Sequence, residues 1–272
     1  GRRRQRQMCI RDRIKSSINK DWQEKAQKIS NYAGPKEIEF ALLSIESNTG
    51  LIRTMVTSKN PSINQYNRVI SSVRPLGSTF KIIPYAAALK EGIKLSDKFE
   101  DSPRCWESYC PKNFSEEYKG LVSLIESFKS SSNIVPISIT KKIGLKKTIN
   151  LANSFGLGYK QEFKEFPSLA IGSFGDNLLN ITNAYSAINN NGKIQIPSII
   201  EKIESFNNKS IWENKSISKK ILDLKVNRKI NKLLEKSVKE GTSKAASIKG
   251  KKIYGKTGTS DGNKDLWFIG SI

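Results

Sequence analysis

Two short runs rich in β-forming residues, 37–46 and 51–57, flank the turn residues Ser47-Asn48-Thr49-Gly50, and this pattern predicts an antiparallel hairpin. After Arg74-Pro75-Leu76-Gly77 an apolar stretch over 78–90, stopped by Gly92, predicts a helix with Pro84 in its second turn. Residues 94–120 are irregular, punctuated by Pro103, Pro111 and Gly120, and helical patterns resume over 121–129 and 135–155. A further helix is predicted over 178–190, with Ile181, Ala184, Tyr185 and Ile188 on one face and Asn191-Gly192 as its stop. A strand pair follows around 198–212, turned at Asn207-Asn208-Lys209. Residues 213–227 are polar and Lys-rich and predict a mobile loop, and 227–240 an amphipathic helix with Ile230, Leu233, Leu234 and Val238 inward. The stretch 252–272 predicts a strand, a turn at Ser260-Asp261-Gly262-Asn263 and a second strand from Leu266. No internal repeat is visible.

The 272 residues suit one large or two small domains, and an apolar share of 37% is that of a globular protein. No apolar run is long enough to span a bilayer. Histidine is absent, which removes Ser-His-Asp, Cys-His and His-ligated metal chemistry together, so a serine nucleophile here needs another base. Cys105 and Cys110 flank Trp106-Glu107-Ser108-Tyr109; they are too few for a thiolate zinc site and form either a loop disulfide, in an oxidising compartment, or two unpaired thiols.

The run from Arg3 to Arg13 (Arg-Arg-Gln-Arg-Gln-Met-Cys-Ile-Arg-Asp-Arg) resembles the translation of a sequencing-library adapter, and residues 1–13 are set apart from the fold on that ground. The competing reading is a basic arm for nucleic acid or anionic lipid. Residues 1–13 contribute +5 of the net charge of +22. The remaining excess favours polyanions, yet the lysines are scattered among Asn and Ile with no aromatic-interleaved stripe, so codon bias explains them better than nucleic-acid binding.

Three elements carry chemistry. In Gly77-Ser78-Thr79-Phe80-Lys81 the three-residue spacing puts Ser78 and Lys81 on one face of a helix start, where a hydroxyl and an amine can meet. Lys81 serves as base only when neutral, a state favoured by burial and by a second cation nearby. The same spacing recurs at Ser17/Lys20, Ser138/Lys141 and Ser216/Lys219, where an N-cap serine and a solvated lysine suffice; the Gly before Ser78 and the apolar helix after it set this pair apart. Ser131-Ser132-Asn133 lies between helical runs and by itself reads equally as a cap or turn. Gly255-Lys256-Thr257-Gly258-Thr259 lies on a strand whose alternation puts Thr257 and Thr259 on one face and Lys256 on the other, and Gly258 lets a peptide approach.

In this order, Ser-x-x-Lys, Ser-x-Asn and Lys-Thr-Gly resemble the active site of penicillin-binding proteins and serine β-lactamases. The runs 40–50, 65–89, 111–113, 167–172, 240–242 and 256–270 look like the bifunctional, class A branch of the transpeptidases. The resemblance covers about residues 36–272. It implies an α+β, β-lactamase/transpeptidase-like fold with a central antiparallel sheet flanked by helices plus a helical lobe. It also implies 14–35 as an interdomain segment and 36–272 as a C-terminally truncated transpeptidase domain. Carried onto these residues, it makes Ser78 the nucleophile on the D-Ala-D-Ala donor of a peptidoglycan stem peptide and Lys81 its base. Ser131 and Asn133 relay the proton and orient the donor, and Lys256 supports the proton network. Thr257, Gly258 and Thr259 bind substrate, and the backbone N–H groups of Ser78 and Thr259 form an oxyanion hole. An amine from a second stem peptide resolves the acyl-enzyme, and β-lactams block Ser78. The resemblance calls for no metal or other cofactor and no nucleic acid, expects a glycosyltransferase domain and a membrane anchor outside this chain, and places the work on the extracytoplasmic face of the bacterial inner membrane or in the periplasm.

The family often has Pro directly after the motif lysine, where Ile82 stands here, with Pro84 two places on. Within the fold the rival readings are a D,D-carboxypeptidase or a serine β-lactamase. The deacylating Glu of a class A β-lactamase has its nearest counterpart in Asp176-Asn177-Leu178-Leu179-Asn180, which fits a capped helix start better. Outside enzymes, the alternative is a non-catalytic β-lactam sensor or cell-wall-binding module.

Overall fold

The computed structural model describes residues 12–32, 34, 37–158, 163 and 165–272. Strand β1 (Arg13–Ser16) and helix α1 (Lys20–Ser30) precede the hairpin of β2 (Leu42–Ile45) and β3 (Ile52–Val56). A short helix α2 (Arg68–Ser71) and strand β4 (Arg74–Pro75) lead into a 3-10 turn, Gly77–Lys81, which continues as helix α3 (Ile82–Lys90). Next come β5 (Lys98–Asp101), β6 (Gly120–Ser123), α4 (Leu124–Lys129), α5 (Ile134–Ile143) and α6 (Leu145–Ser154). A 3-10 turn at Pro167–Ile171, β7 (Gly175–Asp176), α7 (Leu178–Asn189), β8 (Lys193–Gln195), β9 (Ile200–Glu204), β10 (Ser210–Glu213) and β11 (Ser218–Lys220) follow. Helix α8 (Leu224–Glu240) then leads to the hairpin of β12 (Tyr254–Thr259) and β13 (Leu266–Ser271).

Pairing between the described strands is antiparallel: β1–β9–β10, β2–β3, β4–β7, β5–β6, β8–β11 and β12–β13. The β12–β13 register is unbroken from Tyr254 opposite Ser271 to Thr259 opposite Leu266. Helix α7 packs on both β2 and β13 and so supports both hairpins, while α8 packs on β12. Their buried faces hold Ile181, Ala184, Tyr185 and Ile188 on α7 and Ile230, Leu233, Leu234 and Val238 on α8, the faces that helical periodicity predicts. The arrangement is the expected mixed α+β architecture, with strands backed by helices and a lobe of α4, α5 and α6 beside the β5–β6 hairpin.

Helix α3 joins the two parts. Every residue from Ile82 to Leu89 is buried, as an all-round apolar helix must be, and it packs on α5, α6 and α8. Each large aliphatic side chain buried there contributes roughly 1.5–3 kcal/mol relative to exposure. Its entry as a 3-10 turn moves the α-helical start to Ile82, so Pro84 falls in the first α turn, where a missing N–H is cheapest.

Several local expectations change. The helical pattern over 135–155 divides at Gly144, whose φ of 92° no right-handed helix accommodates. The start of the 121–129 run is strand β6, and Ser123 caps α4 by accepting from Glu126 N. The stretch expected to be a mobile loop holds β11 and the start of α8, which begins three residues early because Asp223 accepts from Val226 N at 2.8 Å. Cys105 and Cys110 are joined in a disulfide. The Asp176–Asn177 stretch, by contrast, is the capped helix start that the sequence suggests, Asn177 Oδ1 accepting from Asn180 N at 2.8 Å.

Residues 14–30 are built into this unit. Strand β1 pairs with β9, and α1 packs on β3 with its Gln23 amide acting as a strand neighbour: Oε1 accepts from Met55 N at 2.8 Å and Nε2 donates to Met55 O at 2.9 Å. One side chain thus satisfies both polar backbone groups of an edge position. Gln23→Ala removes two partners at once and is expected to cost about 1–3 kcal/mol in urea unfolding; an unchanged midpoint would show that α1 does not support the β3 edge.

Candidate active site

The serine turn is clamped from three sides. Thr79 Oγ1 donates back to Leu76 O at 2.7 Å, Tyr185 OH of α7 donates to Thr79 O at 2.8 Å, and the Phe80 ring meets Phe174 edge-on at 4.7 Å. Backbone approach here depends on glycine. Gly77 and Gly172 both have positive φ, and Gly77 N donates to Gly172 O at 2.9 Å. A Cβ on Gly172 would come within 2.2 Å of Gly77 O, and one on Gly77 within 2.5 Å of Thr259 O. On β12 a Cβ at Gly258 would meet Leu76 O at 2.8 Å. Bare backbones therefore bring the Ser78 turn directly against the Lys256–Thr259 strand, and Ser78 is itself half-buried.

The Ser131-Ser132-Asn133 triplet is a junction between two helices. At the end of α4, Ser132 N donates to Ser127 O and Ser131 N to Phe128 O, the paired bonds of a Schellman motif. Ser131 occupies the left-handed position with φ of 59°, where glycine is usual. A side chain there costs roughly 1 kcal/mol or more, and such strain concentrates at functional positions. Ser132 Oγ then accepts from Ile134 N and Val135 N at the start of α5. The cap reading and the functional reading are thus both true of the same three residues.

Two fully buried lysines meet this junction. Lys81 Nζ donates to Ser131 O at 2.7 Å, Asn133 Oδ1 at 2.7 Å and Ser131 Oγ at 3.3 Å. Lys256 Nζ donates to Ser131 Oγ at 2.9 Å, Thr257 O at 3.0 Å and Thr242 Oγ1 at 3.5 Å. Burial holds the Lys81 amine well below the ordinary lysine value, the Lys256 charge lowers it further, and Asp101 pulls the other way. Burial alone brings Lys256 down to about 7. One hydroxyl, Ser131 Oγ, thus bridges two amines that burial makes easier to deprotonate than an ordinary lysine. The expected meeting of Ser78 and Lys81 takes a different form: the serine turn is 3-10, which eclipses the two positions, while the ammonium donors are taken up by the 131–133 turn.

Thr257 and Thr259 are half-buried and Lys256 is buried, as strand alternation predicts. Thr257 Oγ1 lies 3.3 Å from Thr242 Oγ1, and Thr257 N donates to Ser243 Oγ at 3.1 Å. Thr242 and Ser243 therefore belong to the site although their chemistry gave no signal; the run 240–242 stood out only by resemblance. Asp101 gave no signal either, and Lys112 and Asn113 stood out only in the resembling run 111–113. Asn133 Nδ2 donates to Lys112 O at 2.6 Å, and Asn133 N donates to Asn113 Oδ1 at 2.8 Å. Among the described residues no cluster of His, Cys, Asp and Glu could hold a metal ion, and no helix is long and apolar enough to cross a membrane.

A serine turn, a Ser-x-Asn junction and a Lys-Thr-Gly strand converge around two buried amines, and comparison with known proteins supplies the family. Residues 41–271 match the penicillin-binding protein transpeptidase domain, and the chain belongs to that family. Penicillin-binding protein 1A of Rickettsia prowazekii is 30% identical over 263 residues, covering 86% of this chain and 33% of that protein. The chain thus spans about a third of the length of such curated relatives. Among solved structures, penicillin-binding protein 1A from Haemophilus influenzae aligns with a TM-score of 0.79 at 26% identity, covering 85% of this chain and 41% of that one. Penicillin-binding protein A from Mycobacterium tuberculosis, solved as an imipenem acyl-enzyme, gives a TM-score of 0.81 at 21% identity over 95% of this chain and 70% of that one, a likeness of fold.

The depressed Lys256 value fixes a pH dependence. Below about pH 7 the folded and unfolded states both carry this proton, and the cost of burying the charge is present in full. Between about 7 and the ordinary 10.5 the unfolded chain binds more protons, so stability rises with pH. Relative to Lys256→Met, the unmodified chain is expected to gain stability as pH is raised from 7 to 10, read by urea unfolding at each pH; a constant difference would mean that the buried amine is not depressed.

Proposed function

We propose that this chain supplies the acyl-transfer site of a peptidoglycan D,D-transpeptidase. The observation that carries this reading is the convergence of the Ser78 turn, the 131–133 junction and the Lys256–Thr259 strand on two buried lysines joined through Ser131 Oγ. Neutral Lys81 takes the proton from Ser78 Oγ, which attacks the carbonyl carbon of the penultimate D-Ala of a stem peptide. The oxyanion sits on the backbone N–H groups of Ser78 and Thr259, at a turn held against β12. As the C–N bond breaks, Ser131 passes a proton to the departing D-Ala amine and is resupplied from the lysines on either side. Asn133 orients the donor, and the hydroxyls of Thr257 and Thr259 hold its terminal carboxylate, with Gly258 leaving room for its backbone. The amine of a second stem peptide then attacks the ester, forms the cross-link and returns the proton to Ser78.

A β-lactam presents a strained amide in place of the donor and acylates Ser78, in keeping with the fold shared with the imipenem acyl-enzyme. The transpeptidase domain covers residues 36–272 in this reading, with β1 and α1 packed onto it and a glycosyltransferase domain and an anchor elsewhere in the longer protein. Its work lies outside the cytoplasm, at the inner-membrane face or in the periplasm, a setting that the Cys105–Cys110 disulfide suits.

Intact mass measurement after incubation with benzylpenicillin is expected to show one penicilloyl adduct, absent from Ser78→Ala. A folded chain that acquires no adduct would overturn the reading, and rapid loss of the adduct to water would make it a hydrolase. Lys81→Met is expected to slow acylation by about 10²–10⁴-fold, the usual worth of a general base. With the unmodified chain, acylation rises with pH as Lys81 loses its proton; a pH-independent rate would exclude this lysine as the base.

A further inference from the structure

Behind the 131–133 junction lies a carboxyl group that acyl transfer does not require. Asp101, the last residue of β5, is 1% exposed in a chain whose other acidic side chains are mostly on the surface. Its Oδ1 accepts from Ser132 Oγ at 2.6 Å and from Asn113 Nδ2 at 3.1 Å, and its Oδ2 accepts from Lys119 N at 3.3 Å. Burying a carboxyl group costs several kcal/mol unless hydrogen bonds compensate it, and these contacts give both of its oxygens donors.

Both partners reach the junction. Ser132 uses its hydrogen on Asp101, which leaves its lone pairs for Ile134 N and Val135 N and so fixes the start of α5. Asn113 places one N–H on Asp101 and the other on Glu117 O at 2.9 Å, which turns its carbonyl towards Asn133 N. Lys112 O, one residue earlier, takes the Asn133 amide and leaves Asn133 Oδ1 facing Lys81. Asp101 thus touches Ser132 and Asn113 directly, and through them the two residues that receive the Lys81 ammonium.

We propose that Asp101 is a positioning residue of this site: by holding Ser132 and Asn113 it sets the 131–133 turn and thereby the place where Ser131 and Asn133 meet Lys81. The role in turnover rests on the acyl-transfer reading above; the effect on Lys81 does not. The charged groups facing Lys81 are Lys256 from β12 and Asp101 from β5, of opposite sign. Removing the Asp101 charge leaves the Lys256 charge unopposed, so the Lys81 value falls further and its proton is lost at lower pH.

Asp101→Asn keeps the size and one acceptor of the side chain and removes its charge; Ser132→Ala cuts the link to the turn and leaves the charge. Each is compared with the unmodified 272-residue chain by penicillin acylation rate from pH 5 to 10, by thermal unfolding, and by NMR titration of the Lys81 amine. Misplacing a reacting group by about 1 Å costs on the order of 100-fold, and a loss of that size is expected for Asp101→Asn in the fraction that remains folded. The rising limb of its pH–rate profile and its Lys81 titration are both expected to move to lower pH, whereas Ser132→Ala slows acylation with the Lys81 titration little changed. An Asp101→Asn chain with unaltered acylation and unaltered Lys81 titration overturns the proposal, as does a rate loss that follows only the fraction unfolded. If the unmodified chain is not acylated, the acyl-transfer reading fails by itself; the Lys81 titration still decides, an unshifted value sinking the role of Asp101.

Discussion

Keeping the Lys81 amine out of water is the constraint on which the rest of the structure depends. A lysine with no exposed surface is costly unless its donors are met, and they are met here by a turn 50 residues further along the chain. That requirement docks the helical lobe against the start of α3. It also explains why the turn has its unusual form: Ser131 in the left-handed region presents both its carbonyl and its hydroxyl to the amine, and Ser132 stitches one helix end to the next helix start. The second buried lysine, on β12, reaches the same hydroxyl from the opposite side. Ser131 Oγ therefore links Lys81 at the serine turn with Lys256 on β12.

Such a meeting is possible only where main chains approach without side chains between them. Gly77, Gly172 and Gly258 provide this, each at a place where a Cβ would come within 2.8 Å of a neighbouring backbone atom. Apolar packing supplies the rigid frame: α3 is buried along eight residues, and Tyr185 of α7 reaches through to hold the serine turn. The buried amines are then displaced from their ordinary values by a desolvation that the frame enforces rather than by any special chemistry of their own.

Much of this was legible in the chain. The inward faces of α7 and α8, the hairpin at 42–56 and the alternation along Lys256–Thr259 follow from periodicity, because a side chain's direction repeats every 3.6 or 2 residues whatever surrounds it. What periodicity misjudged was short or junctional. Strands β6 and β11 have four and three residues, too few to alternate visibly, and the helical run over 135–155 gave no sign that Gly144 divides it. Helix α1 is tied to the fold largely through the amides of Gln23 and Gln27 on backbone carbonyls and an N–H group, contacts that leave no hydrophobic pattern in the sequence.

For the site, the sequence by itself determined the chemical inventory: no histidine, one Ser-x-x-Lys ahead of an apolar helix, and a single Lys-Thr-Gly on a strand. Spacing of three or two residues is a local property, so it can place a hydroxyl near an amine on one helix or two hydroxyls on one strand face. Only the tertiary structure decided that Lys81 turns to Ser131 and Asn133, that Lys256 shares the same hydroxyl, and that Asp101, Asn113 and Thr242 stand around them. Those contacts join residues 12 to 125 positions apart, and their strength comes from exclusion of water, a property of the packed whole that no segment carries alone.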